Sequence, residues 1–235
     1  GHIPALVDAG VEIVAVCDPA PGRAAAVAGQ FGIANAFESH EQLLALDVDV
    51  VLIGVPNVFH APLAIAALES GAHVLCEKPM AVSSAEGEAM ISAAEKAGKL
   101  LSVNQHMRFH PTAQAMRAAV ADGTLGDVYL TDVRWMRSAG IPGYGSWFTR
   151  RELAGAGALF DIGVHMLDLG LFVLGFPKVE RVSGRVTSYL GAQGIGLGGW
   201  GIDRGDAVFD VDDTAVATLT LAGGATFRMH VAWAA

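Results

Sequence analysis

The sequence contains little of what marks secreted or membrane-bound proteins. Only two of its 235 residues are cysteines, Cys17 and Cys76, and both lie in apolar runs that predict strands. Buried, reduced thiols are the expected state of such a pair, and a disulfide between them is the less favoured alternative. No apolar run approaches the roughly 20 residues that cross a bilayer, and no signal peptide is visible at the start. We therefore expect a cytoplasmic protein without a membrane contact.

Charged residues are sparse, and basic residues are the scarcer kind. Charged side chains make up 17% of the chain, and the formal net charge is −9. A surface of this sign repels phosphate backbones and anionic lipids, so neither is an expected partner. The hydrophobic fraction of 52% excludes a disordered chain and is typical of a well-cored globular protein.

Strand and helix patterns alternate over the first two-thirds of the chain. Apolar runs predict strands at residues 11–17, 48–54, 72–76 and 100–104, with helical spacing between them. Such repeats predict a parallel sheet with right-handed crossovers. The pattern changes after Arg108, where a strongly apolar helix is predicted at 159–174. Alternating segments there predict further strands at 128–136, 179–189, 213–221 and 225–233.

The predicted fold class is therefore α/β. Residues 1–107 form a doubly wound, Rossmann-type parallel sheet, and residues 108–235 form an α+β domain with an open, mixed, largely antiparallel sheet. The glycine fingerprint G-x-G-x-x-G of dinucleotide-binding domains is absent. Because the first strand of such a sheet is central, its omission would split the sheet and leave two unpaired edges.

Both ends of the sequence look incomplete. Residues 2–9 resemble the end of the helix that follows the glycine fingerprint, so we predict roughly 15 further residues before Gly1. The sequence also stops inside a strand pattern at Trp233-Ala234-Ala235, which predicts an incomplete second domain.

The tripeptide Glu77-Lys78-Pro79 directly follows the strand predicted at 72–76. The carboxyl end of such a strand lies at the edge of an α/β sheet where ligands bind. A desolvated ammonium group at that edge can move a proton, and the proline restricts the direction in which the chain leaves the strand. The alternative is an ordinary surface lysine in a turn.

Polar residues also follow two other predicted strands. Asp18 is placed to accept hydrogen bonds from adenosine ribose hydroxyls and to repel a 2′-phosphate, which favours NAD over NADP; the alternative is a helix cap. Asn57, after Pro56, is placed to cap the next helix, to contact a ligand, or to do both. His60 lies in the first turn of that helix, where packing against neighbours is the commoner role.

Asp161 and His165 lie four residues apart, so on an α-helix they share one face. An Asp–His pair can set the tautomer and basicity of the imidazole, as a general base requires. The small residues before Asp161, at 154–158, would let a ligand approach the backbone. The alternatives are a polar pair in the core or two metal ligands; no third ligand is evident, so no metal is expected.

Together these motifs resemble those of the glucose-fructose oxidoreductase / inositol dehydrogenase family of nucleotide-dependent sugar and cyclitol dehydrogenases. The stretches that carry the resemblance span nearly the whole chain: 18–19, 55–60, 71–79, 108–111, 123–126 and 155–168. The resemblance implies that Lys78 is the catalytic lysine and that Asp161 and His165 lie at the substrate carbinol. It also implies dimers or tetramers formed through the second domain's sheet.

The resemblance further implies contacts to the cofactor and the substrate. Asp18 is expected at the adenosine ribose of NAD. The residues expected near the nicotinamide end are Pro56, Asn57, His60, Glu77 and Asn104. Arg108 is a candidate substrate contact alongside Asp161 and His165. Independently of the resemblance, aromatic rings stack on the apolar faces of sugars, so further candidates are the aromatic-rich set Trp135, Arg137, Tyr144, Trp147 and Trp200. Core packing or a subunit interface is the alternative role for each member of that set.

The expected activity is hydride transfer between NAD and a CH–OH group of a sugar- or cyclitol-like substrate. A redox-neutral NAD-dependent glycoside hydrolase or lyase on the same scaffold is one alternative. A non-catalytic NAD-binding sensor is another, and the presence of Lys78, Asp161 and His165 together argues against it because a sensor needs no proton-transfer groups.

Overall fold

The structure is a computed structural model that describes residues 2–198 and 207–235. The chain divides into two compact units that interleave along the sequence. The first unit comprises Gly1–Ile53, Ala61–Cys76 and Glu88–Ser102; the second comprises Gly54–His60, Glu77–Gly87 and Val103–Ala235. The turns that follow two strands of the first unit thus belong to the second unit. The predicted domain boundary at 107/108 stays a prediction.

The strands of the first unit form two separate sheets. Strand β1 (Ala15–Cys17) pairs in parallel with β2 (Asn35–Phe37). The other sheet has the order β3-β4-β5, in which β3 (Val50–Ile53) pairs in parallel with β4 (His73–Cys76), and β5 is Leu101–Val103. The parallel strands of the first unit thus lie in one sheet of two strands and one sheet of three.

Helices alternate with these strands, as the sequence pattern predicts. They are α1 (His2–Asp8), α2 (Arg23–Phe31), α3 (His40–Leu44), α4 (His60–Glu69) and α5 (Ser84–Ala97). Ala64, Ala67 and Leu68 of α4 are fully buried, together with Cys76 of β4. Cys17 and Cys76 do not form a disulfide.

The second unit is built on a four-stranded mixed sheet of order β6-β9-β8-β7. Its strands are β6 (Leu130–Met136), β7 (Val179–Thr187), β8 (Thr214–Leu221) and β9 (Thr226–Ala232). The pair β6-β9 is parallel, and the pairs β7-β8 and β8-β9 are antiparallel. The predicted open, mixed, largely antiparallel sheet is confirmed.

The helices of the second unit are α6 (Pro111–Ala121), the short α7 (Arg151–Ala154) and α8 (Val164–Val173). Between α7 and α8, residues Leu159–Gly163 form a π-helix, where the sequence pattern predicts α-helix. Ile162 and Met166 from this region pack in one buried cluster with Leu219, Phe227 and Val231 of the sheet. This cluster is the core that holds the helix carrying Asp161 and His165.

The expectation that no apolar stretch reaches the length needed to cross a bilayer is wrong. The segment Arg151–Val173, which spans α7, the π-helix and α8, is 23 residues long and is apolar enough, by length and composition alone, to cross a membrane. Its apolar character has a simpler explanation, because Ile162 and Met166 are buried in the core of the second unit. The core helix of a globular protein commonly passes the same test.

Candidate functional site

Lys78 is held by Asp161, a residue 83 positions later in the chain. Its Nζ donates one hydrogen bond to Asp161 Oδ1 at 2.8 Å and another to the main-chain oxygen of Asp161 at 2.9 Å. The two side chains are only 18% and 17% exposed. An ammonium group has three N–H donors, so this arrangement leaves one for another acceptor. Lys78 is therefore a partly buried, ion-paired group rather than a solvated surface lysine.

The second carboxylate oxygen of Asp161 is also occupied. Trp233 Nε1 donates a hydrogen bond to Asp161 Oδ2 at 2.8 Å. Both oxygens thus face donors, and no hydrogen bond joins Asp161 to His165 in the described part of the chain. The alternative of a hydrogen-bonded Asp161–His165 pair in the core is therefore wrong, because this stretch is π-helical and Lys78 and Trp233 take the two oxygens.

His165 lies beside this ion pair as a buried histidine. It is 6% exposed, and its Nδ1 has no hydrogen-bond partner among the described residues. The ring lies edge-on to His106, with centroids 5.1 Å apart, and tilted against Trp135 at 6.2 Å. Sequence reasoning missed His106, which follows Val103 by three positions and carried no motif of its own.

The surroundings of His165 favour its neutral form. Burial is the largest cause, followed by the positive charge of Lys78 and by His106, and together they lower the pKa of His165 from 6.5 to about 4. The negative charges of Asp161 and Glu77 oppose this change without cancelling it. At neutral pH the imidazole is therefore uncharged and has a ring nitrogen able to accept a proton.

Asn57 and His60 fix the turn that follows β3. Asn57 is buried and donates from Nδ2 to the main-chain oxygen of Ala154 at 2.8 Å. The 3₁₀ turn Asn57–Phe59 has Pro56 as its N-cap, so Asn57 lies inside the turn and the predicted helix cap is wrong. The buried ring of His60 lies between two main-chain oxygens, with Nδ1 2.7 Å from that of Pro79 and Nε2 3.0 Å from that of Val55. His60 thus links the turns that carry Asn57 and Lys78.

Glu77 and Asn104 meet at the ends of β4 and β5. Asn104 Nδ2 donates to Glu77 Oε1 at 2.8 Å, and the other carboxylate oxygen accepts from the main-chain N–H of Lys78 at 3.1 Å. Carboxylate and amide groups at the carboxyl ends of parallel strands fit the hydroxyl groups of a nucleotide ribose. The chemistry of this pair therefore suits the nicotinamide nucleotide that the sequence predicts.

Asp18 lies in the first unit, directly after β1. Its Oδ1 accepts from the main-chain N–H of Ala20 at 2.9 Å, and its Oδ2 lies 3.5 Å from Arg23. Helix α2 has Gly22 as its N-cap, so the alternative of a helix-capping Asp18 is wrong. A partly exposed carboxylate at this strand end suits the ribose hydroxyls of NAD.

Arg108 is engaged with helix α8 rather than with the Lys78–Asp161 pair. Its Nε donates to Asp168 Oδ2 at 2.8 Å, and its Nη2 donates to Oδ1 of the same carboxylate. The guanidinium also lies over the ring of Phe176 at 5.0 Å. The hydrogen bonds that Arg108 donates to Asp168 raise the pKa of Arg108. A substrate contact by Arg108 stays a prediction.

The aromatic-rich set divides by position. Trp135 lies against His165 with Arg137 over its ring, whereas Trp147 stacks on Phe148. Tyr144 stacks on a phenylalanine and donates to a main-chain oxygen. Trp200 lies outside the described residues. Only Trp135 of this set thus contacts one of the predicted catalytic residues within the described chain.

The small residues before Asp161 have a packing role that the sequence did not reveal. The main-chain N–H groups of Gly157 and Leu159 each donate to the buried Asp212 carboxylate at 2.8 Å. A Cβ on Gly157 would lie 1.9 Å from the main-chain oxygen of Asp212. Glycine is required there because the main chain at Asp212 approaches too closely for a Cβ atom.

Within residues 2–198 and 207–235, no cluster of three side chains could hold a metal ion.

The fold is of the nucleotide-binding α/β type, with acids at its strand ends. The site adds a lysine–carboxylate pair beside a neutral histidine. Together these features define a class of protein, the nucleotide-dependent dehydrogenases. The family models agree with that class. Residues 1–105 match the model described as an oxidoreductase family with an NAD-binding Rossmann fold, and residues 113–235 match the GFO/IDH/MocA C-terminal domain. The chain belongs to the GFO/IDH/MocA oxidoreductase family, as predicted.

Known relatives include sugar dehydrogenases. The chain is 38% identical over 225 residues to D-glucoside 3-dehydrogenase of Escherichia coli (strain K12). The matched region covers 95% of this chain and 63% of that protein. Among solved structures, GenD2 from gentamicin A biosynthesis in complex with NAD matches with a TM-score of 0.86 and 26% identity, over 100% of this chain and 62% of that one. A levoglucosan dehydrogenase with NADH and levoglucosan matches with a TM-score of 0.79 and 26% identity, over 94% and 58%.

The family settles the predicted fold and the cofactor class, since the matched model is the NAD-binding one. The chain spans about three-fifths of the length of these relatives.

Proposed function

We propose that the protein is an NAD-dependent dehydrogenase that oxidises a ring hydroxyl of a sugar or a related polyol. The observation that carries this proposal is the Lys78–Asp161 ion pair beside the buried, neutral His165. Alcohol oxidation needs an acceptor for the hydroxyl proton and a positive group for the developing alkoxide, and this arrangement supplies both. When bound, NAD⁺ would supply the acceptor for the hydride. Relatives named D-glucoside 3-dehydrogenase and levoglucosan dehydrogenase support a sugar substrate.

The two proton-handling residues take different roles. His165 is neutral at physiological pH, so we assign it as the base that accepts the substrate hydroxyl proton. Lys78 keeps two of its donors on Asp161 and directs the third to the substrate oxygen. Its charge is worth more to an alkoxide-like transition state than to the neutral alcohol, which is the condition for raising turnover.

The cofactor contacts are proposed in two groups. Asp18 is the acceptor for the adenosine ribose hydroxyls, and its charge is the reason to expect NAD rather than NADP. Glu77 and Asn104 are the contacts for the nicotinamide ribose. Asn57 and His60 shape the turn after β3, which also contains Pro56, because the side chains of Asn57 and His60 are bonded to main-chain oxygens.

The substrate contacts and the assembly are proposed as follows. Trp135 is the ring best placed to lie against the apolar face of a sugar, since it already contacts His165; Arg108 and Trp147 are further candidates. We infer a cytoplasmic homodimer or homotetramer formed through the exposed face of the β6-β9-β8-β7 sheet. That face carries the Asp132–Arg134 and Asp132–Arg228 ion pairs. Light scattering on the purified protein measures the oligomer size, and a monomer would overturn this assignment.

The experiment is NADH absorbance after mixing the whole protein with NAD⁺ and a panel of sugars, glycosides and cyclitols. The test variant is Lys78→Ala, and the matched control is Lys96→Ala, which removes an exposed lysine. We expect Lys78→Ala to lower turnover at least ~100-fold, the usual scale for a lost acid–base group, and Lys96→Ala to leave it unchanged.

Near-normal turnover in Lys78→Ala would overturn the assignment of the lysine. Substrate conversion without net NAD⁺ reduction would instead identify a redox-neutral lyase or glycoside hydrolase. NAD binding without conversion of any compound would identify a sensor.

A further inference from the structure

Trp233 is bonded to Asp161, yet no motif in the sequence marks it. It directly follows β9, is completely buried, and anchors its main-chain N–H on the oxygen of Asp213 at 2.8 Å. Its indole Nε1 reaches Asp161 Oδ2 at 2.8 Å. The side chain of tryptophan has a single hydrogen-bond donor, and in Trp233 it goes to the carboxylate paired with Lys78.

The bond matters because it determines how the carboxylate is turned. The terminal torsion of an aspartate is soft, so a single partner on Oδ1 leaves the plane of the carboxylate poorly defined. Donors on both oxygens restrict that plane, and a bond from a neutral donor to a charged acceptor is among the stronger kind. With Oδ2 on the indole, Oδ1 faces Lys78 Nζ at 2.8 Å.

The orientation of Asp161 is passed on to Lys78. Two ammonium donors go to Asp161, one to Oδ1 and one to its main-chain oxygen, so their directions fix the direction of the third. We propose that Trp233 is a positioning residue: its indole N–H holds the Asp161 carboxylate and thereby aims the remaining N–H of Lys78 at the substrate oxygen. This inference rests on the proposed function, in which that N–H meets the reacting oxygen.

Trp233 also packs in the core of the second unit, so its positioning role must be separated from its volume. The substitution Trp233→Phe keeps most of the aromatic bulk and removes the only donor. The matched control is Phe227→Leu on β9, a completely buried residue of the same cluster. Both variants perturb the core, and only Trp233→Phe removes a bond to Asp161.

The first measurement needs no activity. The chain has four tryptophans, so a ¹⁵N-indole-labelled chain gives few indole signals, and Trp233→Phe identifies the one that belongs to Trp233. We expect this signal downfield, as for a donor to a carboxylate, and we expect it to move upfield in Asp161→Asn. The Trp147 signal serves as the control. A Trp233 signal that does not respond to Asp161→Asn would overturn the proposal even if the enzyme is active.

The second measurement is kinetic. We expect Trp233→Phe to lower kcat roughly ten-fold, the scale of one hydrogen bond to a charged group, with KM for NAD⁺ within about two-fold. Phe227→Leu should lower the thermal midpoint without this loss of kcat. In the Asp161→Asn background, Trp233→Phe should have little further effect, because the two residues act through one bond.

The outcomes separate this proposal from the proposed function. Wild-type kcat in Trp233→Phe, or equal losses in both backgrounds, would overturn the positioning role while the dehydrogenase assignment stands. A protein that oxidises no compound in the panel would overturn the proposed function, and the indole signal would then still decide whether Trp233 holds Asp161.

Discussion

Replacing His165 by glutamine should change how the stability of the protein depends on pH. The native pKa of His165 is about 4, against 6.5 for an unperturbed histidine, chiefly because the ring is buried. Between these values the unfolded chain binds a proton that the folded chain does not. The free energy of unfolding therefore loses this contribution as the pH falls from 6.5 towards 4.

The size of the effect follows from the displacement of the pKa. A pKa difference of one corresponds to about 1.4 kcal/mol. Lowering the pKa of His165 from 6.5 to about 4 therefore changes the free energy of unfolding by about 3 kcal/mol at most. Glutamine does not titrate and lacks this penalty. The free energy of unfolding of His165→Gln, minus that of the wild type, should thus grow by about 3 kcal/mol as the pH is lowered from 7 to 4.

The assay is urea unfolding at a series of pH values, followed by a signal from the second unit. Other titrating groups are common to both proteins, so they cancel in the difference. His40→Gln, at an exposed histidine, is the control for the substitution itself. NMR titration of the His165 ring proton gives the pKa directly. A difference that stays flat from pH 7 to 4, together with a ring titrating near 6.5, would refute the reasoning from burial.

Two further substitutions test the packing and the cofactor. Gly157→Ala should lower the free energy of unfolding by at least ~2 kcal/mol, because its Cβ would meet the Asp212 main chain at 1.9 Å. Gly29→Ala, at a helical glycine with open space around it, is the matched control and should be neutral or stabilising in the same denaturant assay. Equal effects of the two would contradict the role of close approach. Asp18→Ser should raise kcat/KM for NADP⁺ relative to NAD⁺ by roughly ten-fold, because it removes the repelling charge and leaves Arg23 for a 2′-phosphate. An unchanged ratio would show that Asp18 does not select the cofactor.

The residues that sequence alone placed correctly are those whose signals are local. Lys78 follows a short apolar run, and the carboxyl end of that run is where the structure ends β4. Strands β6, β8 and β9 of the second unit were readable because buried and less buried residues alternate along them over seven or eight residues. Strand ends and alternation depend on neighbours in sequence, so these features could be predicted.

The features that sequence alone missed depend on residues far apart in the chain. Asn57 is a residue type that caps helices, but the turn takes Pro56 as its N-cap and the Asn57 amide nitrogen donates to a main-chain oxygen 97 positions away. Asp161 has the spacing to pair with His165, but a π-helix replaces the assumed α-helix and Trp233, 72 positions later, takes one oxygen. Neither competitor leaves a local trace in the pattern of residue types.

The main-chain oxygen of Asp161 has a consequence for how this site tolerates change. One of the two anchors of Lys78 is that oxygen, which every amino acid supplies. Substituting residue 161 therefore removes the countercharge but leaves a hydrogen-bond acceptor in the backbone. The lysine keeps part of its tether while the side chain beside it varies. Residue 161 can therefore be substituted during evolution while Lys78 keeps one of its two hydrogen-bond acceptors. The main chain thus gives the position of Lys78 a robustness to mutation that a side-chain acceptor could not give.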